Sequence, residues 1–316
     1  LEARERASAA LLVGAVGGGM LEAEAWYWRR VRGESHAPAP PAALRSVLPG
    51  AHADVLGSVL GLRGPRETLV TACSSGAVAL AEAAELIADG VVDVALAGGV
   101  DAITRICFMG FNALKLLDPG PCRPFDRDRR GMSIGEGAAF VVLEEAGHAR
   151  ARGARAWVEL AGHGATTDAY HVTAPHPDGD GMTRAMRAAL TSARVAPDTV
   201  GYANAHGTGT PQNDRIESAA LARIFGEGGL LVSGTKSMIG HAMAAAGSLE
   251  AIATILAVTR EVIPPTANLA VPDAEVPFDC VPGVARERAV ECAISNSFGF
   301  GGQNVTLLFR RTALGR

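Results

Sequence analysis

Short apolar runs typical of buried strands alternate along this chain with longer runs that have the apolar spacing of helices. The clearest unit covers residues 67–97, where a strand at 67–71 is followed by a helix at 74–88 and a second strand at 91–97. A strand, a crossover helix and a strand predict parallel pairing. This alternation constrains the chain to a layered α/β fold.

The same alternation continues along the rest of the chain. Strands are predicted at residues 11–16, 139–143, 156–160, 202–205, 230–233 and 292–296, and helices at residues 182–192, 214–225 and 242–258. The glycines at 17–19 predict a turn after the first strand, and the Ala/Pro run at 37–42 predicts a surface loop. We expect two similar halves, residues 1–153 and 154–316.

The composition is that of a globular protein that buries a large core. Hydrophobic residues make up 48% of the 316 positions and charged residues 20%, and the formal net charge is -4. This slightly acidic balance gives no electrostatic reason to expect nucleic acid or a membrane surface as the main partner. The nearest approach to a membrane-spanning stretch, residues 242–258, is interrupted by Glu250, so no spanning helix is predicted.

Cysteine usage favours a reducing, cytoplasmic compartment, because the five cysteines have no repeated spacing typical of disulfides or zinc sites. Cys73 lies where a predicted strand ends and a predicted helix begins. There the unpaired N–H groups of the first turn favour thiolate over thiol, which predicts a lowered pKa and a nucleophile. A buried small hydrophobic residue is the alternative for Cys73, and it is the interpretation of Cys107, Cys122, Cys280 and Cys292.

Further segments place polar or glycine-rich loops after predicted strands. His206 lies in the segment 204–214, Lys236 and His241 lie in the segment 234–241, and glycines accompany two phenylalanines at residues 296–302. Ligands of α/β proteins bind outside the carboxyl ends of strands. Each segment has an ordinary structural alternative, such as a hairpin turn at 296–302, but together with Cys73 they predict a catalytic site.

These segments resemble the elongating β-ketoacyl-[acyl-carrier-protein] synthases, type I/II, of the thiolase-like superfamily. The resemblance extends to further motifs at residues 97–101 (AGGVD), 123–126 (RPFD), 135–138 (GEGA), 168–171 (DAYH) and 264–269 (PPTANL). It implies a layered α-β-α-β-α fold of two similar halves, the first incomplete at its N-terminus. It also implies an acyltransferase that condenses a Cys-bound acyl group with malonyl-carrier protein, with loss of carbon dioxide, in fatty-acid or polyketide biosynthesis.

The resemblance also implies a role for individual residues. Cys73 would take the acyl group, and His206 and His241 would activate malonyl-carrier protein for decarboxylation. Lys236 would support the histidines electrostatically, and Phe300 would gate the nucleophile and share an oxyanion hole with it. The other implied residues are the substrate-binding Thr208, Thr210, Phe111, Val16 and Phe298, the supporting Asp214 and Glu217, and a structural cation site at Asn204, Glu250, Ser295 and Asn296.

The expected partners follow from the same resemblance. No cofactor is required, since phosphopantetheine arrives on the acyl carrier protein, and a second subunit is expected in a homodimer or a ketosynthase heterodimer. Arg29, Arg30, Arg32 and Lys115 form a candidate docking patch for the acidic carrier, with a solvated charged face as the alternative. The competing functions are a non-elongating subunit like a chain-length factor, which usually lacks the nucleophilic cysteine, and an inactive piece of a ketosynthase.

One departure from the family pattern concerns the start of the chain. Family members usually carry a long segment before residue 11 that includes the first strand of the N-terminal half, and this sequence has no counterpart. We therefore expect a fragment, a chain whose start was not retained, or a shortened relative. Loss of a central strand would expose backbone edges and apolar surface.

Overall fold

The structure, a computed structural model, describes residues 3–312. Its helices are α1 (Ala3–Ser8), α2 (Met20–Val31), α3 (Pro41–Ser46), α4 (Ala51–Leu60), α5 (Ser75–Ala88), α6 (Arg105–Ala113), α7 (Ala146–Ala151), α8 (Asp180–Ala193), α9 (Pro211–Phe225), α10 (Lys236–Ile239) and α11 (Ala246–Arg260). Its strands are β1 (Ala10–Gly14), β2 (Arg66–Leu69), β3 (Val94–Asp101), β4 (Gly137–Glu144), β5 (Val158–Thr167), β6 (Val200–Asn204), β7 (Leu231–Ser233), β8 (Val262–Ile263), β9 (Arg286–Glu287), β10 (Cys292–Gly299) and β11 (Gln303–Arg311).

The two large sheets repeat one arrangement. The first has the order β2-β1-β3-β4 and the second the order β5-β11-β10-β6-β7. In the first, β2, β1 and β3 run parallel and β4 is antiparallel to β3. In the second, β7, β6 and β10 run parallel and β11 is antiparallel to β10. The predicted strands at 67–71 and 91–97 are thus parallel members of one sheet. They do not pair with each other, because β1 lies between them.

Helices α5 and α11 pack against each other between the two sheets, while α4 covers the outer face of the first and α8 that of the second. The alternation of side chains along β1 explains this layering. Leu11 and Val13 pack outward with Ala53 of α4, whereas Leu12 packs inward with Leu80 of α5. Because both faces of the sheet are covered, the predicted layered α-β-α-β-α fold is confirmed.

Both β2 and β4 are edge strands of the first sheet, and β1 and β3 lie paired between them, so among residues 3–312 the sheet has no gap at its centre. In the second sheet, β5 occupies the edge that corresponds to the outer edge of β4 and pairs antiparallel with β11. Among residues 3–312 no strand pairs with the outer edge of β4. A cleft of about 1260 Å³ lies there instead, between residues 140–146 and 154–160, with Leu80 and Ile255 among its lining residues.

Several elements lie where the sequence predicts none. Helix α2 has no buried residue, and α3 begins at Pro41, inside the predicted loop at 37–42. Proline is tolerated in a first helical turn because the N–H it lacks has no partner there. Strand β11 was also not predicted. The stretch Met243–Arg260 is long and apolar enough to cross a membrane by length and composition, but 61% of it is buried, as in a core helix of a soluble-type fold.

Candidate active site

Cys73 lies in a sharp turn between β2 and α5. Ala72 has a φ of 51°, a left-handed conformation that non-glycine residues adopt rarely. The turn is closed by the Thr71 N–H, which donates to Oγ of Ser75 at 2.9 Å, and by Oγ of Ser74, which donates to the Thr71 carbonyl at 2.7 Å. The predicted placement of Cys73 between a strand and a helix is therefore confirmed.

The expectation of a lowered Cys73 pKa is wrong. Burial raises the pKa of this thiol to about 11, and the charge of Lys236 and the N–H of Phe300 lower it only in part. Desolvation penalises the thiolate, and here it outweighs the favourable charge and hydrogen bonds. At pH 7 the Cys73 side chain is thus a thiol rather than a thiolate.

The loop at residues 300–302 is both a hairpin turn and part of the site. It joins β10 to β11, with Gly299 paired to Gln303. Backbone N–H groups of Phe300 and of Cys73 itself are directed at the Cys73 sulfur. A Cβ on Gly299 would lie 3.0 Å from the Thr71 carbonyl oxygen and 3.2 Å from the Cys73 nitrogen, so a side chain there would press on the Cys73 turn.

His206 and His241 lie next to each other, with ring centroids 5.5 Å apart and ring planes nearly perpendicular. His206 follows β6, and its N–H donates to Glu217 at 2.8 Å. His241 follows α10 and is also buried. The sequence segments at 204–214 and 234–241 are therefore brought together, as predicted.

The hydrogen bonds of both rings define their tautomers. The Lys236 ammonium group lies 3.3 Å from Nδ1 of His206, and the Met243 N–H donates to Nδ1 of His241 at 3.1 Å. Burial, followed by the charge of Lys236, holds the pKa of each histidine well below its ordinary value. Both imidazoles are therefore neutral at pH 7, and since each Nδ1 accepts, each Nε2 carries the hydrogen.

Lys236 is buried and forms an ion pair with Oε1 of Glu250. Its ammonium group also donates to the carbonyl oxygen of His206 at 2.7 Å. Burial raises the pKa of Glu250 to about 7, although the charge of Lys236 acts in the opposite direction. These contacts place Lys236 behind the histidines, where it orients His206.

Asp214 and Glu217 support the loop that follows β6. Glu217 also accepts from the Gly207 N–H at 2.9 Å, and Asp214 accepts from the N–H groups of Phe125 at 2.9 Å and Gly209 at 3.2 Å. Burial raises the pKa of both carboxyl groups, that of Glu217 to about 7. Asp214 also forms a buried ion pair with Arg129 at 3.6 Å, and the other contacts of the two carboxylates are with backbone N–H groups and buried amides. These contacts make them loop supports.

The remaining substrate-binding candidates surround this centre. Phe111 in α6 has its ring centroid 5.7 Å from that of Phe300, and Phe298 lies 5.9 Å from His206. The hydroxyls of Thr208 and Thr210 are hydrogen-bonded at 2.9 Å. The candidate Val16 is half-buried in the loop after β1. The functions implied for these side chains remain predictions.

The implied cation residues Asn204, Glu250, Ser295 and Asn296 are all buried. Oε2 of Glu250 and Oγ of Ser295 have no hydrogen-bond partner among the described residues. The amide oxygens of both asparagines accept one hydrogen bond each, from Thr235 and Thr306, and a carbonyl oxygen has a second lone pair. An all-oxygen set with one carboxylate fits a hard cation.

The role of Met243 could not be identified from the sequence, although its N–H determines the tautomer of His241. The only signal was its position two residues after the histidine, at a helix start. Met243 has a φ of 48°, so its backbone turns sharply to direct the N–H at the ring.

Comparisons with known proteins identify the family of this chain. Residues 2–149 match the model of the beta-ketoacyl synthase N-terminal domain, and residues 157–270 match that of its C-terminal domain. The chain is 45% identical over 261 residues to 3-oxoacyl-[acyl-carrier-protein] synthase 2 of Synechocystis and 48% identical over 260 residues to that of Rhizobium meliloti. These alignments cover 80% and 79% of the chain but 63% and 62% of the relatives, so the chain spans less than two thirds of their length.

Solved structures show the same similarity in three dimensions. The ishigamide ketosynthase/chain length factor matches with a TM-score of 0.92 and 37% identity, over 97% of this chain and 76% of that one. A beta-ketoacyl synthase from Burkholderia phymatum matches with a TM-score of 0.91 and 35% identity, over 98% and 76%. A type II polyketide ketosynthase solved in complex with its acyl-carrier protein matches with a TM-score of 0.92 and 30% identity, over 98% and 79%.

Proposed function

We propose that this chain, which belongs to the beta-ketoacyl synthase family, condenses a Cys73-bound acyl group with malonyl-carrier protein and releases carbon dioxide. The observation that carries the proposal is the pair of neutral histidines whose Nδ1 atoms are both occupied as acceptors. Two Nε2–H donors on adjacent rings, beside a lysine whose charge also acts on Cys73, suit a reaction in which negative charge develops on a single thioester oxygen.

The first step is acyl transfer to Cys73. The sulfur attacks the carbonyl carbon of the acyl thioester, a new carbon–sulfur bond forms, and the bond to the pantetheine sulfur breaks. The thiol proton leaves with the pantetheine thiol. The N–H groups of Cys73 and Phe300 would stabilise the oxyanion, and their direction towards the Cys73 sulfur supports this role.

The second step is decarboxylation of the malonyl group. The carbon–carbon bond to the carboxylate breaks, carbon dioxide leaves, and the electron pair forms an enolate whose oxygen accepts from Nε2–H of His206 and His241. Each such donor contributes about 3 kcal/mol in a site that excludes water. The enolate carbon then attacks the acyl carbonyl, the bond to the Cys73 sulfur breaks, and the departing thiolate takes up a proton from solvent.

The proposal includes partners and a location. Acyl carrier protein would deliver both substrates, and the solved ketosynthase complex with its carrier supports this by similarity. A second subunit, in a homodimer or a ketosynthase heterodimer, would cover the apolar face of α6, where Ile106 and Met109 are about 60% exposed. We place the protein in the cytoplasm. Retention of Cys73 favours the enzyme over a non-elongating partner subunit.

A structural monovalent cation is a further part of the proposal. Glu250 and Ser295 would supply the oxygens that lack partners, and Asn204 and Asn296 would supply carbonyl oxygens. When bound, the ion would stabilise the buried Glu250 carboxylate, which in turn orients Lys236.

The test is a condensation assay with acyl-carrier protein and malonyl-carrier protein, in which the 3-oxoacyl product is detected by mass spectrometry. The parent chain should form product and carry the acyl group on Cys73. Cys73→Ala should form none, while the matched control Cys292→Ala, which alters another buried cysteine, should behave like the parent. Acyl label on Cys107 or Cys292 with Cys73 unmodified would contradict the proposal.

A further inference from the structure

The carboxylate of Asp101 joins two loops of the site. Asp101 ends β3 and is 4% exposed. Its Oδ1 accepts from the Gly17 N–H at 2.9 Å, and its Oδ2 accepts from the Ala244 N–H at 3.1 Å. Within residues 3–312 it forms no salt bridge, so backbone N–H groups alone compensate for the loss of water around this charge.

The two N–H groups belong to different functional loops. Gly17 directly follows Val16, the candidate wall of the acyl pocket. Ala244 directly follows Met243, whose N–H donates to Nδ1 of His241. A continuous set of contacts therefore runs from the pocket loop through Asp101 to the atom that determines the tautomer of His241.

The structure is closely packed at both contacts. A Cβ on Gly17 would lie 2.5 Å from Oδ1 of Asp101, and a Cβ on Gly99 would lie 2.6 Å from the Ala244 carbonyl oxygen. Protein interiors at this density transmit displacements rather than absorb them. Movement of the carboxylate would therefore displace the turn that holds His241.

We propose that Asp101 is a positioning residue that holds the Val16 loop and the His241 turn in one arrangement. The kinetic consequence rests on the proposed function. Acylation uses Cys73 and the N–H groups beside it, none of which donates to Asp101, whereas decarboxylation uses His241, whose turn donates to Asp101 directly. Loss of the Asp101 contacts should therefore impair decarboxylation selectively.

The test compares Asp101→Asn with Asp118→Asn in the full chain. Asp118 is a matched control, since it is also buried and accepts a backbone N–H, that of Gly120, in a loop outside the site. An asparagine at 101 would turn an NH₂ group towards one of the two N–H donors and lose that hydrogen bond. We expect Asp101→Asn to slow malonyl-carrier decarboxylation about tenfold or more with little change in Cys73 acylation, and Asp118→Asn to change neither.

A second readout does not depend on activity. In ¹⁵N-labelled parent protein, Nδ1 of His241 should give the signal of an unprotonated acceptor, assigned by its loss in His241→Ala. In Asp101→Asn this signal should shift or split between tautomers. If the parent neither acylates nor decarboxylates, the proposed function fails, while the histidine signal still tests the role of Asp101.

Gly17→Ala covers the case in which Asp101→Asn does not fold, because it displaces the carboxylate without removing its charge. For Gly17→Ala we expect the same selective loss of decarboxylation and the same change in the His241 signal. Asp101→Glu keeps the carboxylate, so its decarboxylation rate and its His241 signal should lie closer to those of the parent than the values of Asp101→Asn do. A parental decarboxylation rate with an unchanged His241 signal would overturn the inference. An equal loss of acylation and decarboxylation would also overturn it, because the effect would then not be selective for the step that uses His241.

Discussion

The ammonium group of Lys236 lies 3.3 Å from Nδ1 of His206 and also forms an ion pair with Glu250. One buried cation thus fixes the tautomer of a histidine and balances a buried carboxylate. Its charge also lowers the pKa of Cys73, against the larger effect of burial. Lys236 is therefore in a position to influence both halves of the proposed reaction.

We expect Lys236→Met to make the Cys73 thiol less acidic. The pKa of this thiol is about 11, and removal of a nearby positive charge disfavours the thiolate, so the pKa should rise further. The rate of iodoacetamide alkylation at Cys73 should therefore increase with pH up to and beyond pH 10 in the parent and be lower at each pH in the variant.

Peptide mass spectrometry across a pH series would measure these rates. Lys115→Met is the matched control, because Lys115 is exposed, and it should follow the parent profile. A Cys73 that alkylates faster in Lys236→Met than in the parent would contradict the electrostatic role of Lys236.

From the sequence, residues that the structure brings together were easier to recognise than some of the elements around them. Cys73 and His206 were recognisable because each lies where a β-type run ends in small or glycine residues. Helix α2 was not recognisable, because it has no buried residue and therefore lacks the regular spacing of apolar side chains that marks a helix packed on a core. The edge position of β4 depends on the order of strands in the sheet, which strand sequences alone do not determine.

The thiol pKa shows a second limit of sequence reasoning. A helix N-terminus is a local feature and can be inferred from residues 70–76, but the desolvation that dominates the pKa of Cys73 comes from long-range packing. Residues of the C-terminal half contribute to this packing, including Gly299 close to the Cys73 backbone. The role of Met243 was missed for a similar reason, since a backbone N–H has no sequence signature.

Charge reversal at Arg30, Arg32 and Lys115 should weaken use of carrier-bound substrate. All three are exposed, and the Arg30 guanidinium is held over the Trp26 ring at 5.9 Å. Basic groups at a docking surface attract an acidic partner, so the triple change to Glu should raise KM for acyl-carrier protein. KM for a small pantetheine thioester should change little.

A steady-state comparison of both substrates would measure this difference. Reversal of the exposed Arg155, Arg187 and Arg194 changes the net charge equally and is the matched control. It should leave KM for the carrier substrate close to that of the parent. Equal effects of the first triple change on both substrates would rule out docking at this patch.

Val16→Phe should shift the substrate preference to shorter acyl primers. If Val16 limits the depth of the acyl pocket, with Phe111 as a second wall, an added ring overpacks the pocket at a cost of roughly 1 to 3 kcal/mol. Elongation of long primers should then fall about tenfold if about 1.4 kcal/mol is lost in the transition state. Condensation rates over a series of primer lengths would measure the profile, and an unchanged profile would show that Val16 does not line the pocket.

The central claim is the division of labour between Cys73 and the histidines. The most direct measurement follows both half-reactions in His206→Ala and His241→Ala, with Cys73 acylation measured by intact mass and decarboxylation by labelled carbon dioxide from malonyl-carrier protein. Loss of one donor at the enolate oxygen should slow decarboxylation by about 100-fold or more, while Cys73 still becomes acylated. A variant that decarboxylates malonyl-carrier protein at the parent rate would contradict the role assigned to that histidine.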